Sequence, residues 1–318
     1  MQCSRHIVII TLMWLVASGL AHAQSWQAPP DAKRCPSQWG AADERGHANL
    51  IGPETVLRAA KLIRTGEVIE LGRVLSTEMP INPIRQFHVH TKRTTMTPTS
   101  NRRGSNEELV IAEIGQVGTQ FDGFAHQTIG DRLYNCFRND DIATRNGFTK
   151  LGIQNVGAIV TRGVLIDVAG LKSVEMLPPT YEVTVQDLEQ ALARQKTSIQ
   201  RGDVVLVNTG WGNLWAKDNA KYQASNPGIG VAAAEWLVRQ GPVVVGGDSA
   251  PVEVNPNPDQ KLSLPIHQIL LVVNGIHVLE NMKLDELAAK RAYEFAFIIQ
   301  PLKLQGGTGS TVAPIAIR

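Results

Sequence analysis

The second half of the chain alternates short apolar runs with amphipathic stretches, and this pattern constrains the fold more than any other feature. Residues 158–166 and 203–208 are dominated by Val, Ile and Leu and have the length of buried strands. Residues 185–195 and 231–240 place apolar side chains at helical spacing, and Thr184 is a suitable N-cap for the first of these helices. The pattern therefore predicts strands covered by helices.

The remaining elements do not continue this alternation strictly, which favours an α/β fold with a mixed β-sheet over a regular doubly wound one. No repeat or linker divides residues 24–318, so we expect a single domain. The further predictions are strands at 68–74, 243–246 and 294–299, helices at 54–64 and 284–290, a helix or strand at 267–273, and a polar, mobile loop at 91–106.

The N-terminus has the three parts of a secretory signal peptide, which we assign to residues 1–23. Arg5 and His6 precede the apolar run 7–16, and Ala21 and Ala23 supply the small residues of a cleavage site. The run is shorter than the ~20 residues that span a bilayer, so we expect cleavage rather than a membrane anchor. The mature chain is then exported, either periplasmic or secreted, with no membrane attachment.

Cleavage would remove Cys3 and leave Cys35 and Cys136. An oxidising compartment permits a disulfide between them but does not require one. Neither cysteine belongs to a CxxC motif. The sequence therefore leaves two states open, a disulfide or two buried thiols, and favours the thiols.

The charge balance argues against a nucleic-acid partner. The chain has 31 Lys and Arg against 29 Asp and Glu, and no basic stripe or tail stands out. Aromatic residues make up only 5%, too few for a platform that stacks single-stranded bases. The sequence also lacks the motifs of phosphate-binding loops, dinucleotide-binding folds, serine hydrolases and HExxH zinc proteases. We expect a small-molecule substrate.

Residues 116–126 (QVGTQFDGFAH) concentrate polar side chains in one short stretch. Gln116 and Gln120 are four residues apart, and Gln120 and Asp122 are two apart. On an extended segment the latter two share one face. Residue types alone leave two interpretations open, a ligand site or a polar turn whose hydrogen bonds are satisfied.

This stretch resembles the signature of the cyclase-like metal-dependent hydrolases, the family of bacterial kynurenine formamidase and isatin hydrolase. The usual pattern is HxGTHxDxPxH, and this chain has QxGTQxDxxxH. The glutamine version is similar to a branch that includes trans-dienelactone hydrolases. The resemblance implies a swivelling β/β/α fold. Matching residues are Gly118, Thr119, Asp122 and His126, then stretches at 39–43, 162–167, 202–211, 227–229, 247–248, 265–267, 280–281 and 314–316.

Family members hold one metal with the first two histidines and the aspartate. Where a second metal is present, the aspartate, a later histidine and a glutamate hold it. The resemblance therefore implies that Asp122, His267 and Glu280 hold one dominant divalent metal, Zn²⁺ or Mn²⁺. Gln116 and Gln120 replace imidazoles by amides, which are weaker ligands for such ions. We expect these two glutamines to be weak ligands or hydrogen-bond partners of the ligands.

The resemblance also implies that the last motif residue, His126, transfers protons during hydrolysis, with Asp122 as the other catalytic residue. Histidine suits this role because its ordinary pKa lies near neutral pH. For substrate binding, His88 and His90 would share one face of a strand, although a solvated loop is the alternative. We add Phe121 and Trp211 as further candidates for substrate contact.

The implied reaction is metal-assisted hydrolysis of a small cyclic ester or amide, in which the ion activates water. The glutamine branch favours a lactone. One alternative is an arylformamidase of the kynurenine formamidase type, although that pathway is intracellular and this chain is predicted to be exported. The other is an inactive secreted binding protein on the same fold. The resemblance further implies a homodimer or homotetramer.

Overall fold

The structure is a computed structural model that describes residues 25–94 and 100–318. The predicted signal peptide, residues 1–23, lies outside the described residues. So does the centre of the predicted mobile loop, residues 95–99. In the described ranges, no helix combines the length and the apolar character needed to cross a membrane.

The described residues form fifteen strands, many of them short. Their bounds are β1 Val68–Glu70, β2 Phe87–Thr94, β3 Ser105–Ala112, β4 Gln120–Asp122, β5 Ala143–Thr144, β6 Gly147–Phe148, β7 Ile159–Asp167, β8 Glu182–Val183, β9 Val204–Asn208, β10 Gly228–Ile229, β11 Val244–Gly247, β12 His277–Glu280, β13 Glu294–Ile299, β14 Gly309–Thr311 and β15 Ile315–Ile317.

Nine α-helical segments accompany these strands in the described part of the chain. They are α1 Asp31–Arg34, α2 Pro53–Ala60, α3 Asn139–Ile142, α4 Val168–Leu171, α5 Val185–Gln195, α6 Asn219–Ala224, α7 Val231–Gln240, α8 Pro265–His267 and α9 Asp285–Ala289. Short 3₁₀ turns cover Gly46–Leu50, Tyr134–Cys136, Ile153–Asn155 and Trp211–Leu214, and a π-helical turn covers Gln268–Val273.

Nine strands form one mixed sheet in the order β1-β15-β13-β7-β9-β11-β12-β4-β14. The four central strands, β7, β9, β11 and β12, are parallel, and the strands on both sides of them pair antiparallel. The predicted α/β class with a mixed sheet is therefore confirmed. The parallel strands are buried on both faces, which explains their continuous apolar runs.

Alternate side chains of the central strands enter two separate cores. Val205 and Val207 of β9 pack in one core beneath α5, α7 and the π-helical turn. Leu206 packs on the other face with Phe295 and Phe297 of β13. Helix α5 begins as predicted, because the Thr184 hydroxyl accepts a hydrogen bond from the backbone N–H of Asp187.

The predicted mobile loop at 91–106 is wrong at both ends. Strands β2 and β3 pair antiparallel, from Phe87 opposite Ala112 to Thr94 opposite Ser105. Most of their side chains are exposed, so the hairpin lacks the apolar alternation that identifies a half-buried strand. Cross-strand contacts such as the 3.2 Å ion pair of Lys92 with Glu107 accompany the pairing.

Smaller differences concern element ends. The helix predicted at 54–64 ends at Ala60, because the chain then tightens into turns that bond Leu62 to Ala59. The strand predicted at 68–74 ends at Glu70, its last residue paired to β15. The ambiguous segment 267–273 is helical, with the rare π spacing over Gln268–Val273.

Cys35 and Cys136 form a disulfide, so the sequence-based preference for two thiols is wrong. The bond joins residues 101 positions apart and fixes the N-terminal arm against the turn Tyr134–Cys136. A hydrogen bond from the Tyr134 hydroxyl to Asp43 Oδ2, 2.6 Å long, holds the same two segments together. Only this long-range packing brings the two sulfur atoms within bonding distance.

Candidate metal centre

Strand β4 carries the candidate site because it lies between β12 and β14. In its antiparallel pairing with β12, Gln120 is opposite Glu280. Directly opposite residues point to the same face of a sheet, and so do residues two apart on one strand. Gln120, Asp122 and Glu280 therefore share one face, as the sequence spacing predicts for the first two.

His267 reaches the same place from α8, at the point where the chain enters the π-helical turn. Such turns occur frequently at functional sites. The ring is oriented by Glu253, whose Oε1 accepts a 2.5 Å hydrogen bond from Nδ1 and a 3.1 Å bond from the His267 backbone N–H. Glu253 Oε2 accepts a third bond from the Ile266 backbone N–H. This buried carboxylate thus fixes both the ring and its tautomer.

The other ring nitrogen, Nε2 of His267, faces two carboxylates. It lies 3.1 Å from Glu280 Oε1 and 3.6 Å from Asp122 Oδ2. Asp122 is completely buried, and its Oδ2 has no hydrogen-bond partner among the described residues. Since Nδ1 donates its proton to Glu253, a neutral ring would direct the Nε2 lone pair at these oxygens. A proton or a cation must therefore lie between them.

The two glutamines of the motif hold the carboxylates in place. Gln120 Nε2 donates to Glu280 Oε2 at 3.0 Å, and Gln116 Nε2 donates to Asp122 Oδ1 at 3.1 Å. Both amides present their N–H groups to ionised oxygens, and amide nitrogen does not ligate metals as imidazole does. The arrangement fits hydrogen-bond partners of the ligands better than ligands.

His126 lies at the edge of this cluster and is half-buried. Its Nδ1 faces Gln116 Nε2 at 3.3 Å. Burial, together with the charges of Arg85 and His267, holds the pKa of His126 below its usual value, although Asp122 and Glu280 pull in the opposite direction. The imidazole is therefore neutral near pH 7 and can accept a proton.

The other two titrating members of the cluster stabilise each other's charges. Burial opposes ionisation of Asp122, yet the neighbouring imidazoles and the Gln116 amide hold its pKa below the usual value. Burial alone would lower the pKa of His267, but the three surrounding carboxylates raise it well above the usual value. The imidazolium is thus the positive charge that this carboxylate-rich cluster requires in the absence of another cation.

The donor set fits a divalent metal. One ligand atom each of Asp122, His126 and His267 lies within 4.8 Å of the others, and Glu280 adjoins His267. Carboxylate oxygen and imidazole nitrogen are the donors that Zn²⁺ and Mn²⁺ accept. The Oδ2 of Asp122, which has no hydrogen-bond partner among the described residues, supports a cation at this position. His126 lies within the same reach, so the geometry alone permits it to be a ligand or a proton carrier.

A pocket of about 250 Å³ opens above this cluster. Gln116, Gln120, His126, His267 and Glu280 form part of its lining, with Asp122 buried beneath them. A pocket of this size suits a small ring compound rather than a polymer.

The four predicted substrate-binding residues are not part of the lining of this pocket. His88 and His90 stack on each other on the exposed hairpin β2–β3, with ring centroids 6.4 Å apart. Phe121 is fully buried against His277, and Trp211 is fully buried with its indole N–H donated to the Tyr222 carbonyl. None of the four lines the pocket. Their contact with a substrate stays a prediction.

Sequence reasoning missed two residues of this region. Glu253 is a single carboxylate between two buried valines, which was the available signal for a buried polar role. Arg85 lines the pocket from the loop before β2 and had no signal beyond its charge. Both act through contacts with distant parts of the chain.

Comparison with known proteins places these observations in a family. The model of the Cyclase family, described as "Putative cyclase", matches residues 69–254. A crystal structure described as that of a novel cyclase is 32% identical, with a TM-score of 0.82, over 91% of this chain and 99% of its own. Among curated proteins, no significant match was found.

More distant solved structures share the fold. An isatin hydrolase A from Ralstonia solanacearum is 23% identical, with a TM-score of 0.55, over 79% of this chain and 91% of its own. An isatin hydrolase bound to the product analogue thioisatinate is 22% identical, with a TM-score of 0.57, over 84% of this chain and 98% of its own.

Proposed function

Because the chain belongs to the cyclase family, we propose that it is a metal-dependent hydrolase that opens a small cyclic ester or cyclic amide. The observation that carries the proposal is the set of buried carboxylates around His267 Nε2, with an unpartnered Asp122 oxygen. The isatin hydrolases of similar fold act, by their name, on isatin, which contains a cyclic amide. Among ring substrates we favour a lactone, because of the resemblance of the glutamine motif to that of the trans-dienelactone hydrolases.

Asp122, His267 and Glu280 would hold the ion, which we propose to be Zn²⁺ or Mn²⁺. When bound, such an ion polarises the scissile carbonyl and lowers the pKa of a water molecule towards neutrality. Glu253 keeps the proton of His267 on Nδ1 and leaves Nε2 as the donor atom. Gln116 restrains Asp122 through Oδ1, while Gln120 and the Val252 backbone N–H restrain the two oxygens of Glu280.

His126 would accept a proton from the attacking water and return it to the leaving oxygen or nitrogen. Its lowered pKa keeps it neutral and able to accept that proton at pH 7. The buried surroundings limit the access of bulk water to the reacting groups. This division of roles treats His126 as a proton carrier and the other three residues as ligands.

Metal analysis combined with a substrate panel tests the proposal. The protein is purified, assayed for Zn²⁺ and Mn²⁺, and incubated with a γ-lactone, isatin and an aryl formamide, with and without a chelator. We expect a stoichiometric metal and chelator-sensitive turnover, fastest on the lactone. Fastest turnover of the formamide would favour the arylformamidase alternative. Turnover that resists the chelator, or none on any substrate, would refute a metal-dependent hydrolase.

We also propose export and self-association. The disulfide of Cys35 with Cys136 supports an oxidising compartment, periplasmic or outside the cell. Exposed apolar side chains on β3, including Leu109 and Ile111, support a homodimer or homotetramer. N-terminal sequencing of the exported protein and light scattering of the purified protein test these two proposals.

A further inference from the structure

The loop before β2 brings one guanidinium group to the wall of the pocket. Arg85 lines the pocket together with Pro83 of the same loop and with Gln127, Gln223 and Asn255. Of the described residues that form this lining, Arg85 is the single Lys or Arg. Its Nη1 bonds to the carbonyl of Gln116, whose side chain bonds to Asp122, and these contacts place the guanidinium near the candidate metal centre.

Arg85 is held in position by its own loop. Asn82-Pro83-Ile84-Arg85 has the sequence of a β-turn, with Asn first and Pro second. The turn is closed by a 2.8 Å hydrogen bond from the Arg85 backbone N–H to the Asn82 carbonyl. Helix α6 anchors the start of the loop, because the amide groups of Asn219 and Gln223 donate to the carbonyls of Glu78 and Ile81.

The guanidinium itself is only partly satisfied. Nη1 of Arg85 donates to the Gln116 carbonyl at 2.9 Å. Across residues 25–94 and 100–318, no carboxylate lies within 4 Å of Arg85, whereas buried Arg162 has two such partners. The half-buried Arg85 guanidinium lines the pocket and keeps N–H donors for a further partner. Its planar fork of N–H groups can bind both oxygens of a planar anion such as a carboxylate.

We propose that Arg85 binds a carboxylate of the substrate, so that the pocket selects ring substrates that carry negative charge. This assignment rests on the proposed function for the reaction, and it adds the substrate class. The amides of Gln127, Gln223 and Asn255, which also line the pocket, are neutral and cannot replace the charge. The scissile ring then lies between Arg85 and the candidate metal centre.

The test compares two matched lactones, a γ-butyrolactone with a ring carboxylate and the same lactone with that group as a primary amide. Arg85→Gln should raise KM for the carboxylate lactone by about 10- to 100-fold, the range expected for a lost hydrogen bond to a charged group. The KM for the amide lactone should stay the same. Arg85→Lys keeps the charge without the fork and should lie between Arg85→Gln and the wild type.

Arg93→Gln is the matched control, because it removes an equal charge from the exposed hairpin β2–β3. It should change neither KM. A calorimetric titration with benzoate and with benzamide gives a readout that needs no turnover. Wild-type protein should bind benzoate more tightly than benzamide, and Arg85→Gln should remove that difference.

The outcomes separate this inference from the proposed function. If neither lactone is hydrolysed but benzoate binding depends on Arg85, the carboxylate site stands and the hydrolase proposal fails. If both lactones are hydrolysed and Arg85→Gln changes neither KM or both equally, the hydrolase proposal stands and Arg85 does not select charge. Absence of benzoate binding to the wild-type protein also overturns the inference.

Discussion

Asp203 and Asp122 are both completely buried aspartates of the central sheet, but their surroundings differ. Asp203, just before β9, receives two hydrogen bonds from Arg162, of 2.6 and 3.2 Å, and a third from the Gln200 backbone N–H. Asp122, in β4, has one oxygen bonded to glutamine amides and one oxygen without a partner in the described structure.

The Asp203 cluster is a paired, structural set of charges, whereas the Asp122 cluster has the composition of a metal site. Around Asp203, Arg162 supplies a fixed positive charge and also pairs with Glu294. Around Asp122, three carboxylates surround His267, and among the described residues none of the three forms an ion pair with a lysine or arginine. Burial of charge is costly unless it is paired, so the incomplete cluster is the one expected to have a functional reason.

The largest expected contrast comes from removing one member of each cluster. Arg162→Met should destabilise the protein by about 3–5 kcal/mol, because it leaves Asp203 buried without its main partner. Asp122→Asn should cost about 1 kcal/mol or less in the metal-free protein, because Asn Oδ1 can still accept from the glutamine amides. The measurement is urea unfolding of metal-free protein, with a metal assay of both variants.

The metal assay should give the reverse ranking. Asp122→Asn should lose its metal, whereas Arg162→Met should keep it when folded, because Arg162 lies outside the cluster of ligands. Equal metal content in the two variants would contradict the assignment of Asp122. Equal unfolding free energies would contradict the view that only the Asp203 cluster is structural.

His126→Ala addresses the chemistry of the incomplete cluster. We expect turnover to fall by about 10²- to 10⁴-fold with metal content unchanged, the usual size of a lost proton-transfer group. Arg93→Gln, on the exposed hairpin and outside every predicted site, serves as the control and should leave turnover nearly unchanged. Loss of the metal from His126→Ala would instead make His126 a ligand, which its position near Asp122 and His267 permits.

Glu253→Gln tests whether Glu253 orients the proposed metal ligand His267. The amide keeps the size of the side chain but weakens the 2.5 Å bond that holds Nδ1 of His267. We expect metal affinity to fall by about 10- to 100-fold, as for other carboxylates that support a metal-bound histidine. Glu294→Gln, which alters the paired cluster, should leave that affinity unchanged in the same chelator-competition assay.

The sequence predicted those parts of the molecule that local periodicity determines. Helices Val185–Gln195 and Val231–Gln240 and strand Glu294–Ile299 begin and end where their patterns indicate. The hairpin β2–β3 was missed because nearly all of its side chains are exposed, which leaves no alternation to recognise. Turn residues and hydrophobic periodicity are signals over a few neighbouring residues, so they do not show which two exposed strands pair.

The site was predictable only where the motif or the resemblance to the family supplies the residues. Spacing placed Gln120 and Asp122 on one face, and the resemblance added His267 and Glu280, which the structure brings together. The bond from Arg85 to Gln116 joins residues 31 positions apart. Glu253 reaches its histidine across 14 positions. Neither contact leaves a periodic trace in the sequence, so tertiary structure was needed to find them.

His277 is a third buried group, and it can be compared with Asp122 because Nε2 of its ring also lacks a partner among the described residues. Its ring packs against Phe124 at 4.1 Å and Phe121 at 4.7 Å, and its Nδ1 bonds to the backbone carbonyl of Asp122. Burial lowers the pKa of His277 to about 3, so the ring is neutral and needs no cation. An unpartnered atom therefore indicates a ligand site only where charges accompany it.

The lowered pKa of His277 predicts that the folding stability of the protein decreases modestly in acid. Between pH 6.5 and about 3 the unfolded chain protonates His277 and the folded protein does not. The unfolded state then binds more protons, so stability falls as pH decreases, by about 1 kcal/mol per pH unit from this group. His277→Phe keeps an aromatic ring between the two phenylalanines and should flatten the dependence by that amount in urea unfolding from pH 7 to 5. If the two slopes are equal, His277 takes up its proton over the same pH range in the folded protein as in the unfolded chain, and burial does not keep the ring neutral.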